Sequence, residues 1–136
     1  MVDTNILAKS LEEQGEDLNF PFAVNPIPGE VEVLQIVIED REELPIFIST
    51  SDEQILCISY LFTESEIQDG VLDKVNNEML LANTSMPLSS YAKINDQYVL
   101  YGAMSVNSDI SDITHEIQAL SDNTIDAIET MQNYLK

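Results

Sequence analysis

Three apolar runs decide the fold: Val31-Glu32-Val33-Leu34-Gln35-Ile36-Val37-Ile38, Leu44-Pro45-Ile46-Phe47-Ile48-Ser49 and Gln54-Ile55-Leu56-Cys57-Ile58-Ser59-Tyr60-Leu61-Phe62. The first is rich in β-branched residues and partly alternates apolar with polar positions, the pattern of a strand, and the third is apolar on both faces over much of its length. Pro45 suits a strand start or an edge rather than a centre. The polar links, Asp40-Arg41-Glu42-Glu43 and Ser51-Asp52-Glu53, are too short for a crossover between parallel strands. Three strands joined this way form an antiparallel meander.

Downstream, Thr63-Glu64-Ser65-Glu66 places a hydroxyl three residues ahead of a Glu, the spacing of a capping box. The spacing predicts a helix from Glu66 to Leu81, with Ile67, Val71, Val75 and Met79 repeating every four residues. Gly70 costs that helix about 1 kcal/mol against Ala. Two further strands follow, Ser89 to Ile94 and Gln97 to Val106, joined by a tight hairpin at Asn95-Asp96. Asn107-Ser108-Asp109 then starts a long final helix. Its Ile113, Ile117, Leu120, Ile128, Met131 and Leu135 lie on or near one stripe, and Asp109 and Asp112 complement its dipole.

Upstream, Ile6, Leu7, Leu11 and Leu18 predict a first helix from Asp3 to Leu18, capped by Asp3 or Thr4. Phe20 to Gly29 reads as a loop, because Pro21, Pro26 and Pro28 block both helix and central strand. Phe20 and Phe22 dock it on the core. The expected order is helix, three strands, helix, two strands, helix. That is a single α+β domain over residues 1–136, with a five-stranded, mostly antiparallel sheet.

Composition narrows function by exclusion. Against 25 Asp+Glu stand 5 Lys+Arg, for a formal net charge of −20. Nucleic acid and anionic membranes both need a basic surface, so neither is an expected partner. A single Cys excludes a disulfide framework and a Cys-based metal centre. The N-terminus has no basic region followed by an apolar core, and no run approaches the length of a membrane span. A cytoplasmic protein is the default reading.

No residue cluster carries a recognisable chemistry. Cys57 has no His or basic neighbour in sequence to lower its pKa, and reads as a buried structural residue. His115 lies off the apolar stripe with Asp112 three residues before it, which reads as an exposed pair; a metal site would need a further ligand that no spacing supplies. The acidic turns lack the glycine and alternation of a calcium loop, and no glycine-rich phosphate cradle exists. Ser89 and Ser90 ahead of Lys93 read as strand-edge hydroxyls rather than a Ser–Lys nucleophile. No catalytic residue, cofactor or metal is expected.

Several segments together resemble a known family: Leu44–Tyr60, Met86-Pro87-Leu88-Ser89-Ser90-Tyr91-Ala92-Lys93-Ile94, Tyr101-Gly102-Ala103-Met104-Ser105-Val106-Asn107-Ser108 and His115-Glu116-Ile117 followed by Leu120-Ser121-Asp122-Asn123-Thr124. They resemble the YjfI-like family of small bacterial proteins, a domain of unknown function. The resemblance transfers no activity and no catalytic residue. It implies a neighbourhood with proteins similar to phage-shock protein A, and so an envelope-stress system. Independently, the element order and acidity resemble class I type III secretion chaperones and YbjN-like proteins. That likeness implies a dimer built by the middle helix and sheet, with apolar grooves for a partner's extended chain.

The expectation is a non-enzymatic, acidic, chaperone-like or adaptor module that binds a protein partner, possesses no cofactor and forms a homodimer. A partner similar to phage-shock protein A is implied by the family resemblance. The candidate partner or dimer surface comprises Ile67, Val71 and Val75 of the middle helix with Tyr91, Tyr98 and Tyr101 of the hairpin. Tyr offers apolar area with a polar tip, which suits an interface, while packing on the sheet is the plainer use of the same residues. The alternative, from the surplus of carboxylates alone, is a small-molecule enzyme or metabolite sensor.

Overall fold

A computed structural model describes residues 4–136. The candidate cap Asp3 and the side chain of Thr4 lie outside the described residues. The elements are α1 (Thr4–Asp17), β1 (Phe22–Ile27), β2 (Val33–Ile38), β3 (Ile46–Thr50), β4 (Ile55–Thr63), α2 (Leu72–Ala82), β5 (Ser90–Ile94), β6 (Gln97–Met104) and α3 (Ile110–Met131). The α+β class stands, but the sheet has six strands in the order β1-β2-β3-β4-β6-β5, not five. Every pair in it is antiparallel.

The added strand is β1, in the segment expected to be a loop. Phe22 pairs with Ile38, Val24 with Ile36 and Pro26 with Leu34. Proline is barred from a central strand because it cannot donate to the ladder, but β1 is an edge. Pro26 shares the parity of Val24, whose N–H points away from β2 and donates to the Glu12 carboxylate of α1 at 3.1 Å. The N–H missing at Pro26 therefore faces outward and costs no ladder bond.

The middle helix also departs from expectation. The capping box at Thr63 and Glu66 forms, but it closes only a single 3-10 turn, Glu64–Glu66. Gly70 then adopts φ +85°, a left-handed conformation that ends any helix begun before it. The helix starts at Leu72 instead. Ile67 is drawn into an isolated bridge with Leu135 near the C-terminus.

The core lies between one face of the sheet and the helices. Leu34, Ile36 and Ile38 of β2, Ile46 and Ile48 of β3, Ile55 and Cys57 of β4, and Leu100 of β6 all point to it. Leu7 and Leu11 of α1, Val75 and Met79 of α2, and Ile113, Ile117 and Leu120 of α3 close over them. Each such aliphatic side chain contributes about 1.5–3 kcal/mol by burial. The α3 start is capped as its sequence requires, the Asp109 carboxylate accepting from the Asp112 N–H at 2.8 Å. Arg41, in the β2–β3 turn, donates to Ser121 Oγ at 2.9 Å and to Asp122 at 2.7 Å, tying the meander to α3.

Candidate functional site

Strand alternation sends every second side chain away from the helices. On that outward face β1 presents Ala23, Asn25 and Ile27, β2 Val33, Gln35 and Val37, and β3 Phe47 and Ser49. β4 adds Leu56, Ile58 and Tyr60, β6 Val99, Tyr101 and Ala103, and β5 Ser90, Ala92 and Ile94. None of these carries a charge, in a chain of formal net charge −20. The three helices contribute their buried side chains to the opposite, inward cluster. Tyr60 and Ile94 are each 46% exposed on this face. Phe47 and Tyr60 stack edge to face across it, ring centroids 5.5 Å apart. Val99 forms the floor of a shallow apolar hollow walled by Leu56, Ile58, Ala92, Ile94 and Tyr101.

A second concavity adjoins the first around the free edge of β5. It has a volume of about 330 Å³ and lies between α2 and β5, lined by Asn76, Met79, Leu80 and Asn83 on one side and Tyr91, Ala92, Lys93 and Tyr98 on the other. Ala92 lines both hollows, which lie on either side of the β5 edge. Leu80, which lines the hollow between α2 and β5, stands 70% exposed. The Tyr98 hydroxyl donates to the Asn76 amide oxygen, and burial pushes its pKa up. Lys93 is ion-paired with Glu64 and sits 5.4 Å from the Tyr98 ring centroid.

Asn83 makes the most specific contact there. The Tyr91 N–H donates to its Oδ1 at 2.7 Å, and its Nδ2 donates to the Tyr91 carbonyl at 3.3 Å. One side-chain amide thus takes both outward backbone groups of an edge residue, as a neighbouring strand would.

The expected site residues fall into three places. Tyr91 and Tyr98 meet in the α2–β5 groove, with little of either exposed. Tyr101 lies on the opposite, open face. Val75 is in the core, Ile67 is buried at the bridge to Leu135, and Val71 stands half-buried at the start of α2. Asn83, Leu80 and Ile94 were not singled out by the sequence reading. Their signal is tertiary, because it exists only once α2 is laid beside β5.

Cys57, Ser89 and Lys93 are spent on structure. Cys57 is fully buried, and burial with the nearby Glu116 carboxyl pushes its thiol up to about 12. Ser89 is buried and accepts from Asn123 Nδ2 at 3.0 Å, while Lys93 points to Glu64. His115 is exposed, and among the described residues no ion pair joins it to Asp112. Among the described residues no group of three or more His, Cys, Asp and Glu is placed to hold a metal ion. Nor, among them, is any helix long and apolar enough to cross a membrane.

Comparison with known proteins gives a family and a fold. Residues 1–135 match the model of DUF2170, described as an uncharacterized protein conserved in bacteria. The uncharacterized protein YjfI of Escherichia coli (strain K12) is 30% identical over 105 residues, 74% of this chain and 77% of that one. Among solved structures, YbjN of E. coli, described as a putative transcription regulator, superposes with a TM-score of 0.62 at 13% identity, over 94% of this chain and 93% of that one. A chain of the HopA1–SchA chaperone–effector complex gives a TM-score of 0.61 at 13% identity, over 95% and 99%. A chain of the heterodimeric ExoU–SpcU complex of the Pseudomonas aeruginosa type III secretion system gives 0.56 at 12%, over 90% and 94%. At these identities the likeness is one of fold.

Proposed function

The chain belongs to the bacterial family DUF2170, and from that membership and its fold we propose that it is a non-enzymatic protein-binding module of the cytoplasm, an acidic chaperone or adaptor. The observation that carries this reading is the uncharged outward sheet face. A strongly acidic chain that keeps a whole sheet face free of charge has a surface suited to covering by another protein. The α2–β5 groove, on the other side of the β5 edge, adds apolar surface at the exposed Leu80. Chains of the same fold are found in a chaperone–effector complex and in a heterodimeric type III secretion complex, which supports binding of a protein chain. Fold alone does not establish function, so the surface bears the weight.

In this reading Tyr101 contacts the partner on the open face, and Tyr91 and Tyr98 line the groove. Ile67, Val71 and Val75 hold α2 in position. A homodimer uses part of the same surface. The resemblance to the YjfI-like family adds a candidate partner, a protein similar to phage-shock protein A, and with it an envelope-stress role. A carboxylate enzyme is less well supported, since no Asp or Glu lines the α2–β5 groove and the buried Glu116 lies beneath α3.

The test is affinity capture from native lysate with the full chain and with Tyr101→Glu and Ile58→Glu variants, read by mass spectrometry at low and moderate salt. A near-stoichiometric protein that survives moderate salt, and that both variants lose while melting like the parent, is the expected result. Retention of that protein by both variants overturns the reading. Sedimentation equilibrium checks the homodimer, and a monomer mass at all concentrations rejects it.

A further inference from the structure

The two edges of the sheet are treated differently. At β1 the outward groups are spoiled for pairing, because Glu12 covers the Val24 N–H and Pro26 has none. At β5 the outward groups are those of Tyr91 and Lys93, since Ser90, Ala92 and Ile94 face β6 in the alternating ladder. Asn83 occupies the Tyr91 pair, and its hold is a side-chain amide that a rotamer change releases. The Lys93 pair is the next rung on the same edge.

We infer that β5 is an acceptor edge: an extended, cationic segment of a partner protein adds to it as a seventh strand, pairing at Lys93 and then at Tyr91 as Asn83 swings away. This rests on the protein-binding reading and specifies its mode. Strand addition draws affinity from main-chain hydrogen bonds and specificity from alternate side-chain pockets. Both faces of the added strand are provided for. One set of its side chains would enter the groove beside Met79 and Leu80, the other would extend the uncharged face beyond Ala92 and Ile94.

Charge sets the occupant. The chain carries 25 acidic against 5 basic residues, and the one basic residue lining the groove, Lys93, is already paired with Glu64. A basic segment is drawn to such a protein.

The experiment selects phage-displayed random peptides on the full chain at moderate salt. Enriched peptides are then measured against Lys93→Pro, Lys93→Ala and Asn83→Ala. Proline at 93 removes only a donor that faces away from β6, so the β5–β6 ladder survives. Lys93→Ala controls for the lost ion pair. The expected peptides alternate apolar residues and carry Lys or Arg. Their affinity falls about tenfold or more on Lys93→Pro relative to Lys93→Ala, the loss of a main-chain bond, and rises on Asn83→Ala. If Lys93→Pro melts early, N-methylation of the peptide at alternate residues gives the same reading, since only one parity should abolish binding.

Three results overturn the proposal. They are no enrichment, equal binding to the proline and alanine variants with no dependence on methylation parity, and self-association that Lys93→Pro abolishes. A natural partner that is released by Tyr101→Glu but indifferent to Lys93→Pro removes edge pairing and leaves the protein-binding reading intact. Retention by Tyr101→Glu and Ile58→Glu removes the latter by itself.

Discussion

Glu116 of α3 lays its carboxyl over Gly102 of β6, in the space where a Cβ at position 102 would stand. The side chain is 8% exposed, and Cys57 pairs with Gly102 on the neighbouring strand. The missing side chain at 102 is what admits a carboxyl between helix and sheet. The Leu88 carbonyl lies 3.1 Å from the same Cβ position, so moving Glu116 alone does not clear it. Gly102→Ala is expected to cost about 1–3 kcal/mol by overpacking. In a Glu116→Ala background the cost should shrink, giving a coupling of at least about 0.5 kcal/mol in a double-mutant cycle by denaturant unfolding. Additive costs would separate the two residues.

Burial pushes the Glu116 carboxyl above its ordinary pKa of 4.5, with His115 beside it pulling slightly the other way. The folded chain therefore holds a proton that the unfolded chain releases more easily. Such a group stabilises fully below the unfolded pKa, and its contribution is lost as pH rises through the folded one. Glu116→Gln keeps the shape and removes the titration. The difference in stability between parent and variant should change with pH above about 4.5, the parent losing ground as pH rises. A difference flat from pH 4 to 8 would contradict the burial argument.

The strands β2, β3 and β4 were legible because each is a short apolar run bounded by polar turns, although only β2 partly alternates. What escaped was set by position in the sheet. Pro26 argued against a strand by a rule for central strands, and only the tertiary order makes β1 an edge. The capping box forms, yet Gly70 at φ +85° separates it from the helix that follows. For the site, parity alone separates Tyr98 from Tyr101, three residues apart on one strand and so on opposite faces. Reading the hairpin tyrosines as one surface passed over that signal. The uncharged outward face is likewise countable once the strands are known. The Asn83–Tyr91 and Glu116–Gly102 contacts have no local signature, because each joins a helix to a strand through one side chain.

Ser59 is fully buried on the inward face of β4, and among the described residues its Oγ has no hydrogen-bond partner. An unmet buried hydroxyl costs about 1–3 kcal/mol, while the volume lost to Ala is small. Ser59→Ala should raise stability by about 1 kcal/mol, read as a higher denaturant midpoint at unchanged slope. A lower midpoint would mean that the hydroxyl is satisfied in solution.

Gly15 lies inside α1, where Ala is favoured by about 1 kcal/mol on propensity. Packing opposes it. A Cβ there would stand 2.8 Å from the Phe20 carbonyl oxygen and 2.7 Å from the Phe22 ring. The backbone oxygen cannot yield as a side chain can, so α1 would have to lift from the start of β1. Gly15→Ala is expected to destabilise by about 1–3 kcal/mol net, checked by thermal melting. A stabilised variant would show that propensity wins at this position.

Net charge gives the last expectation its sign. Three ion pairs are seen among the described residues, Arg41–Asp122, Lys93–Glu64 and Lys136–Asp69. They neutralise few of the 25 carboxylates, and the rest repel. Compaction brings those charges together, so the folded state suffers more than the unfolded one. Salt screens the repulsion over a Debye length of about 10 Å at 0.1 M. The melting temperature should rise by a few degrees between low salt and about 0.2 M sodium chloride, then level off. A cationic peptide on β5 should show the opposite trend, binding more weakly as salt rises, because there the attraction is screened. Stability and peptide affinity therefore respond to sodium chloride with opposite signs, and a shared sign would show that one of the two electrostatic arguments is wrong.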